Sequence, residues 1–216
     1  MQSGVEWLFR GQHIRAFLTR GTKEGVIATF DHWKADKCGF DPARPAGWVA
    51  ERGFSHLSIQ TVGNDWYLNR DIGPAQMVMR REAAALGPIR MVGFSMGGFG
   101  ALMFGAALGA TEGLLISPAL PRKFKNAGWL AESAAGPAYA LIYDPTIPID
   151  VWRAQVLTGL VPRTRLVALE GGGHPATGKI RQAGRFNAVR RVATGEVADV
   201  GWLSRIHARS SAALAA

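Results

Sequence analysis

The sequence predicts an α/β protein in which helices cover both faces of a mostly parallel central sheet. Short apolar runs typical of buried parallel strands recur along the chain, and segments of helical propensity separate them. One such run, at residues 89–94, leads through a glycine-rich turn into a helix of small residues. Strands that alternate with helices form parallel sheets, because each helix carries the chain back across a face of the sheet.

Composition indicates one globular domain over residues 1–216. Hydrophobic residues make up 48% of the chain and charged residues 19%, which excludes a disordered or collagen-like protein. The single cysteine, Cys38, excludes an internal disulfide. The N-terminal residues lack the apolar core of a secretory signal, and no run approaches the roughly 20 apolar residues of a membrane span. We expect a cytoplasmic protein without a membrane span.

The chain is basic, with a formal net charge of +9. Five cationic residues lie close together in the C-terminal region: Lys179, Arg181, Arg185, Arg190 and Arg191. No basic motif with interleaved aromatic residues accompanies them, so we expect a solvated helix face and no nucleic-acid partner. Around Asp31 and His32 no further ligands stand at a recognisable metal-binding spacing, and we expect neither a metal nor a cofactor.

The N-terminal half predicts a hairpin, two buried strands and a helix. Residues 5–10 and 13–19 are two short strands separated by Gly11-Gln12, which suits an antiparallel hairpin at a sheet edge. Continuous apolar runs at 25–30 and 55–61 predict two further strands. Helical propensity from 74 to 86 then leads to the strand at 89–94.

The C-terminal half continues the alternation. Strands are predicted at 113–117, 138–143 and 164–169, with a helix at 151–159. Residues 119–136 show little apolar periodicity and stand where a lid would be inserted, and a lid of this length is minimal. At the end of the chain, residues 208–216 are expected to fray.

The segment Gly93-Phe94-Ser95-Met96-Gly97 fits the pattern G-x-S-x-G. A serine at the apex of a sharp strand-to-helix turn needs neighbours without Cβ atoms, which explains the two glycines. Ser95 would then be exposed, and the following helix would direct its first amides, including the Met96 N–H, toward the same point. This context favours a nucleophile over the alternative in which Ser95 only caps the helix.

A serine hydroxyl becomes a good nucleophile when a histidine takes its proton and a carboxylate orients that histidine. Ser95, Asp144 and His174 each follow a predicted strand, in the order nucleophile, acid, base. Asp144 is favoured as the acid because it ends its strand directly. Asp150 is the alternative acid, and its structural role would be to cap the helix at 151–159. His207 is a remote alternative to His174.

Several other residues are candidates for substrate contacts. The loop after strand 25–30 is expected to supply a second oxyanion amide, from Phe30 or Asp31. Trp66 and Tyr67 lie on the loop after strand 55–61, where they either line a substrate pocket or cap the core. Trp129, in the lid segment, is a further candidate for the pocket lining.

Over residues 13–195 the chain resembles the α/β-hydrolases. The segments TFDHW, NDWY, GFSMGGFGAL and SPAL are similar to those of a bacterial subgroup of small members. This resemblance implies a mostly parallel sheet and a serine-histidine-acid triad, and it implies no particular substrate. The acid loop lacks the usual glycine-containing lead-in before its aspartate, so both Asp144 and Asp150 stay open. An H-G-G-G-type oxyanion motif is also absent from the sequence, which argues against a specialised lipase.

The sequence therefore predicts a serine hydrolase of carboxylesterase or thioesterase type. It would act on a small ester or thioester through an acyl-Ser95 intermediate, with a small acyl substrate as its partner. An acyltransferase with the same triad is an alternative, because only the exclusion of water separates the two reactions. A non-catalytic binding protein of the same fold is another; a missing serine or histidine would favour it, and both are present.

Overall fold

The computed structural model describes residues 4–121 and 136–215. Its strands are β1 (Val5–Arg10), β2 (Ile14–Thr19), β3 (Val26–Phe30), β4 (Ser55–Thr61), β5 (Ile89–Phe94), β6 (Glu112–Ile116), β7 (Ala138–Tyr143) and β8 (Thr164–Ala168). They form one sheet in the order β1-β2-β4-β3-β5-β6-β7-β8. β2 pairs antiparallel with both β1 and β4, and the other neighbours are parallel. The predicted sheet, including its edge hairpin, is confirmed.

Helices cover both faces of this sheet, as predicted. They are α1 (Gly47–Ala50), α2 (Ile72–Ala83), α3 (Met96–Phe104), α4 (Pro148–Leu160), α5 (Gly178–Gln182), α6 (Asn187–Ala193) and α7 (Trp202–Ala215). On one face α2, α3 and α4 bury apolar residues such as Met79, Phe99 and Leu157. On the other face α1, α5, α6 and α7 contribute a second core.

The central strands read as continuous apolar runs because both of their faces are covered. Successive residues of a strand point to opposite faces, so Met91 of β5 joins the first core and Val92 joins the second. Parallel pairing also brings the C-terminal ends of β3, β5, β6, β7 and β8 to the same edge of the sheet. We call this the carboxyl edge; it comprises residues 31–41, 95–97, 117–121, 144–150 and 169–176.

The sequence predicts a frayed tail at residues 208–216. Residues 208–215 belong to α7, which buries Leu203, His207 and Ser210. The ring nitrogen Nε2 of His207 lies 2.9 Å from the carbonyl oxygen of Glu170. These buried positions recur at helical spacing and pack one face of α7, whereas residues 212–215 at its end are exposed.

The predicted lid at 119–136 and Trp129 fall mainly on residues 122–135, which lie outside the described residues. Within the described ranges, no helix is both long enough and apolar enough to cross a membrane.

Candidate active site

The turn between β5 and α3 holds Ser95 in an unusual backbone conformation, with φ of 49° and ψ of −120°. Its N–H donates to the carbonyl oxygen of Ile116, at the end of neighbouring β6, over 3.0 Å. A Cβ at Gly93 would lie 2.3 Å from the Gly97 carbonyl oxygen, and a Cβ at Gly97 would lie 2.7 Å from the Phe30 carbonyl oxygen. The chain passes itself too closely here for any side chain, so both glycines are required.

Ser95, His174 and Asp150 form a hydrogen-bonded chain across the carboxyl edge. His174 Nε2 lies 3.1 Å from Ser95 Oγ. On the other side of the ring, Nδ1 lies 3.2 Å from Asp150 Oδ1 and 3.3 Å from Oδ2. Asp150 is buried, with 2% of its surface exposed. The structure therefore brings together a hydroxyl, an imidazole and a carboxylate in the geometry of a Ser-His-Asp triad.

The preference for Asp144 as the partner of His174 is wrong, and the alternative, Asp150, takes that position. Asp144 points instead at backbone amides: its Oδ1 accepts from Gly171 N–H at 2.9 Å, and its Oδ2 accepts from Gly173 N–H at 2.7 Å. Its Oδ1 also accepts from the N–H and the hydroxyl of Thr146, at 2.9 and 2.7 Å. Asp144 thus binds the backbone of the loop that carries His174, whereas the carboxylate at the ring is that of Asp150.

Asp150 is not the cap of its helix either. α4 begins at Pro148, three residues earlier than predicted, and the capping position is Ile147. Asp150 therefore lies in the first turn of α4, with its side chain directed toward His174. Proline is favoured at the first position of a helix, so Pro148 was the signal that could have placed Asp150 inside the helix.

Arg153 is a residue of this site that the sequence reasoning missed. It lies three residues after Asp150 on α4, and its Nη1 is 3.3 Å from Asp150 Oδ1. The same carboxylate oxygen thus faces an imidazole and a guanidinium. Spacing of i and i+3 on a helix brings side chains together, so the pair was detectable once Asp150 was placed in the helix.

Asp31 anchors the loop that follows β3. Its Oδ2 accepts from the Lys37 ammonium at 2.8 Å and from the Thr61 N–H at 3.1 Å. The Lys37 side chain is only 2% exposed, so this is a buried ion pair. Burial raises the pKa of the Asp31 carboxyl above its ordinary value, although Lys37 and the Thr61 N–H act in the opposite direction.

The end of β3 lies directly against the start of α3. The carbonyl oxygens of Phe30 and Asp31 are the groups that a Cβ at Gly97 would meet. Met96 is the first residue of α3, where a backbone N–H has no acceptor within the helix. The predicted oxyanion donors, Met96 and either Phe30 or Asp31, therefore come from two segments that are in contact beside Ser95.

Tyr67 does not line a pocket, so the alternative in which it belongs to the core is the one observed. It is fully buried, and its ring packs edge-on against Phe30 and Phe104. Its hydroxyl lies 3.3 Å from the Asp31 carbonyl oxygen and 3.2 Å from that of Ile59. The tyrosine thus ties the start of the β3 loop to β4.

Trp66 is partly buried, with its ring edge-on to Phe99 at a centroid distance of 6.0 Å. Its contact with substrate stays a prediction. His207 lies against Glu170 as described above and does not replace His174. Among residues 4–121 and 136–215, no group of three or more potential ligands is placed to hold a metal ion.

Solved structures with a similar fold identify the fold class of this protein. No protein-family model matches the chain, and no curated protein matches its sequence. A sugar hydrolase from Lactococcus lactis superposes on 98% of this chain and 100% of its own, with a TM-score of 0.56 and 11% identity. Est1E from Butyrivibrio proteoclasticus covers 91% of this chain and 100% of its own, with a TM-score of 0.55 and 13% identity.

An α/β-hydrolase from a Medee basin deep-sea metagenome library covers 95% of this chain and 99% of its own, with a TM-score of 0.55 and 14% identity. These similarities extend over nearly the whole of each chain. They agree with the mostly parallel eight-stranded sheet and its covering helices. The protein has the α/β-hydrolase fold.

Proposed function

We propose that the protein is a serine hydrolase that acts on a small ester or thioester through an acyl-Ser95 intermediate. The observation that supports this most is the continuous chain from Ser95 Oγ through the His174 ring to Asp150, with contacts of 3.1 and 3.2 Å. Fold similarity alone does not identify a reaction, whereas three groups in these roles have a definite chemistry.

In the first half of the reaction, His174 Nε2 takes the proton of Ser95 Oγ as that oxygen attacks the substrate carbonyl carbon. Asp150 holds the ring through Nδ1 and stabilises the imidazolium that forms. When the tetrahedral intermediate collapses, the bond to the leaving alcohol or thiol breaks, and His174 returns the proton to that group. The acyl group is then bonded to Ser95.

Water completes the cycle by the same route. His174 takes a proton from a water molecule that attacks the acyl carbon, and the released Ser95 oxygen receives that proton. In both halves the negative charge grows on the former carbonyl oxygen. We assign its stabilisation to the Met96 N–H and to an N–H of Phe30 or Asp31, because helix amides and loop amides that are already in place need little reorganisation.

Labelling with a fluorophosphonate probe tests this proposal. The wild type should be modified at Ser95, and Ser95→Ala should abolish labelling and reduce ester turnover by about 10⁴-fold or more. Ser204→Ala removes an exposed serine on α7 and is the matched control, expected to label fully. Undiminished labelling of Ser95→Ala, or a wild type that does not react, would refute the proposed function.

We further propose that short acyl groups are preferred. Fewer than twenty residues connect Pro118 to β7, which leaves little chain to roof the site. A long acyl tail gains about 0.8 kcal/mol for each methylene only where a wall contacts it. Assays with p-nitrophenyl esters of two to sixteen carbons should show a maximum of kcat/KM at short chains. A maximum beyond about ten carbons would contradict this expectation.

A further inference from the structure

The carboxylate of Asp144 is almost fully buried, with 1% of the residue exposed, although it does not contact the His174 ring. It accepts four hydrogen bonds, of 2.7 to 2.9 Å. Two of the donors belong to Thr146, two residues further along the same loop. The other two are the N–H groups of Gly171 and Gly173, which belong to the loop after β8.

Gly173 immediately precedes His174 in the chain. Asp144 Oδ2 therefore holds the residue next to His174, and Oδ1 holds the chain two residues earlier. Gly171 and Gly173 have φ of 65° and 86°, a region that side chains rarely adopt. The two glycines allow the loop to adopt this conformation, and the Asp144 carboxylate binds both of their amides.

A second side chain holds the loop on the other side of the histidine. Ser117, directly after β6, is fully buried, and its Oγ accepts a hydrogen bond of 2.9 Å from the Ala176 N–H. Ser117 is fixed in turn by its own N–H, which donates to the Ile142 carbonyl oxygen of β7 at 2.7 Å. The backbone is thus anchored three residues before, one residue before and two residues after His174.

The histidine ring has little support of its own. Its side chain is 36% exposed, and the ring nitrogens make polar contacts with Ser95 and Asp150, at 3.1 to 3.3 Å. The position of the ring between these two groups therefore depends on where the backbone places it. A displacement of about 1 Å of a reacting group is enough to cost about 100-fold in rate.

We propose that Asp144 and Ser117 are positioning residues that set His174 between Ser95 and Asp150. β6 and β7 are neighbours in the sheet, and each is followed directly by one of these residues, so the sheet itself determines the position of the histidine backbone. This proposal rests on the proposed hydrolase function for its kinetic effect, but the position of the ring is measurable without it.

Asp144→Asn is the first test. Asparagine keeps the shape of the side chain but has a single acceptor oxygen, so it cannot accept from Gly173 and also from Thr146 and Gly171 as the carboxylate does. We expect kcat for a short ester to fall about 10- to 100-fold, with KM nearly unchanged, because substrate binding does not use the histidine. Ser117→Ala removes one bond only and should lower kcat several-fold.

Proton NMR provides a readout that a purely structural role would not change. In the wild type, the proton on His174 Nδ1 that faces Asp150 should give a resolved downfield resonance, assigned by its loss in His174→Ala. We expect Asp144→Asn to weaken or abolish this resonance through faster exchange with solvent, and Ser117→Ala to weaken it less.

Asp71→Asn is the matched control. Asp71 also accepts from two backbone amides, those of His13 and Ile14, but it lies beside β2, remote from the histidine. It should lose stability without a change in kcat or in the histidine resonance. If Asp144→Asn and Ser117→Ala behave in the same way, the positioning role is refuted.

The two proposals fail in different ways. A wild type without esterase activity or labelling overturns the proposed function, whereas the NMR comparison still decides the positioning role. If Asp144→Asn does not fold, Ser117→Ala decides it, because it leaves all four bonds of Asp144 in place.

Discussion

Two loops of the carboxyl edge, those after β3 and β7, are each anchored by an aspartate, but the aspartates are bound by different groups. In the loop after β3, the first residue beyond the strand, Asp31, is held by a buried lysine and one backbone amide. In the loop after β7, the first residue beyond the strand, Asp144, is held by three backbone amides and a hydroxyl. Both aspartates fasten a loop that faces Ser95.

The pKa values of the two carboxyl groups are nevertheless shifted in opposite directions. Burial raises the pKa of Asp31 above its usual value of 3.8, and the Lys37 ion pair does not reverse this. Burial acts in the same direction on Asp144, but the hydrogen bonds from Gly173, Thr146 and Gly171 outweigh it, and the pKa of Asp144 is lowered. The pKa directions differ because the effect of burial prevails at Asp31, whereas the hydrogen bonds together prevail at Asp144.

The largest expected effect on activity distinguishes Asp144, directly after β7, from Asp150, in the first turn of α4. Asp150→Asn should lower kcat/KM for a short ester by about 10⁴-fold, because an amide neither orients the histidine correctly nor stabilises its charged form. Asp144→Asn should lower kcat/KM far less. Steady-state kinetics on both variants make the comparison, and a larger loss in Asp144→Asn than in Asp150→Asn would reverse the assignment of the acid.

The next prediction tests the buried ion pair on the β3 side. Lys37→Met leaves the Asp31 carboxylate buried without its cation and should reduce the free energy of unfolding by about 3–5 kcal/mol. Lys34→Met in the same loop is the control, since the Lys34–Asp41 pair has side chains 36% and 44% exposed. Lys34→Met should reduce the free energy of unfolding by about 1 kcal/mol or less. Equal urea midpoints for the two variants would show that burial of Lys37 contributes nothing.

A buried histidine near the opposite, amino end of β4 adds a pH dependence to the stability of the β3–β4 side of the sheet. His56 on β4 accepts a hydrogen bond at Nδ1 from the Ala46 N–H, and its Nε2 is 2.8 Å from Thr29 Oγ1. The ring is buried and neutral, and burial lowers the pKa of His56 from 6.5 to about 4.

The unfolded chain therefore binds a proton that the folded chain rejects between these two pH values. The stability contributed by neutral His56 is complete above pH 6.5 and should decline by about 3 kcal/mol as pH falls to about 4. Urea unfolding at several pH values measures this decline. His56→Gln should be less stable at neutral pH but should lack this part of the slope; an unchanged slope would contradict the assignment.

The smallest expected effect is the pH dependence of stability that Asp144 and Asp31 contribute, and it compares the two loops directly. Asp144, with its pKa below 3.8, contributes stability above pH 3.8 that is lost as the pH falls through its folded value. Asp31, with its pKa above 3.8, has the opposite sign, and stability declines as the pH rises from 3.8 through its folded value.

Unfolding free energies of Asp31→Asn and Asp144→Asn between pH 3 and 6, each subtracted from the wild type, should slope in opposite directions. Parallel slopes would show that the two loops are held in the same way after all.

Much of the fold followed from local patterns. The apolar runs that became β3, β5 and β7 were recognisable because both faces of each strand are buried. The turn at Ser95 was also recognisable, since Gly93 and Gly97 are required by contacts within a few residues of each other and with the end of β3. The C-terminal helix was missed because its stability comes from packing of Leu203, His207 and Ser210 rather than from its small residues.

The sequence by itself determined the strand order along the chain, the nucleophile turn and the histidine after the last strand, because each depends on residues that are near one another in sequence. Only the tertiary structure decided which carboxylate meets His174. Asp144 and Asp150 both follow β7 and are six residues apart, but they have different surroundings. Asp144 accepts from the amides of Gly171 and Gly173, whereas Asp150 lies in the first turn of α4, where it faces the ring. Contacts between loops from different strands exist only after the sheet has assembled, so no spacing in the sequence contains them.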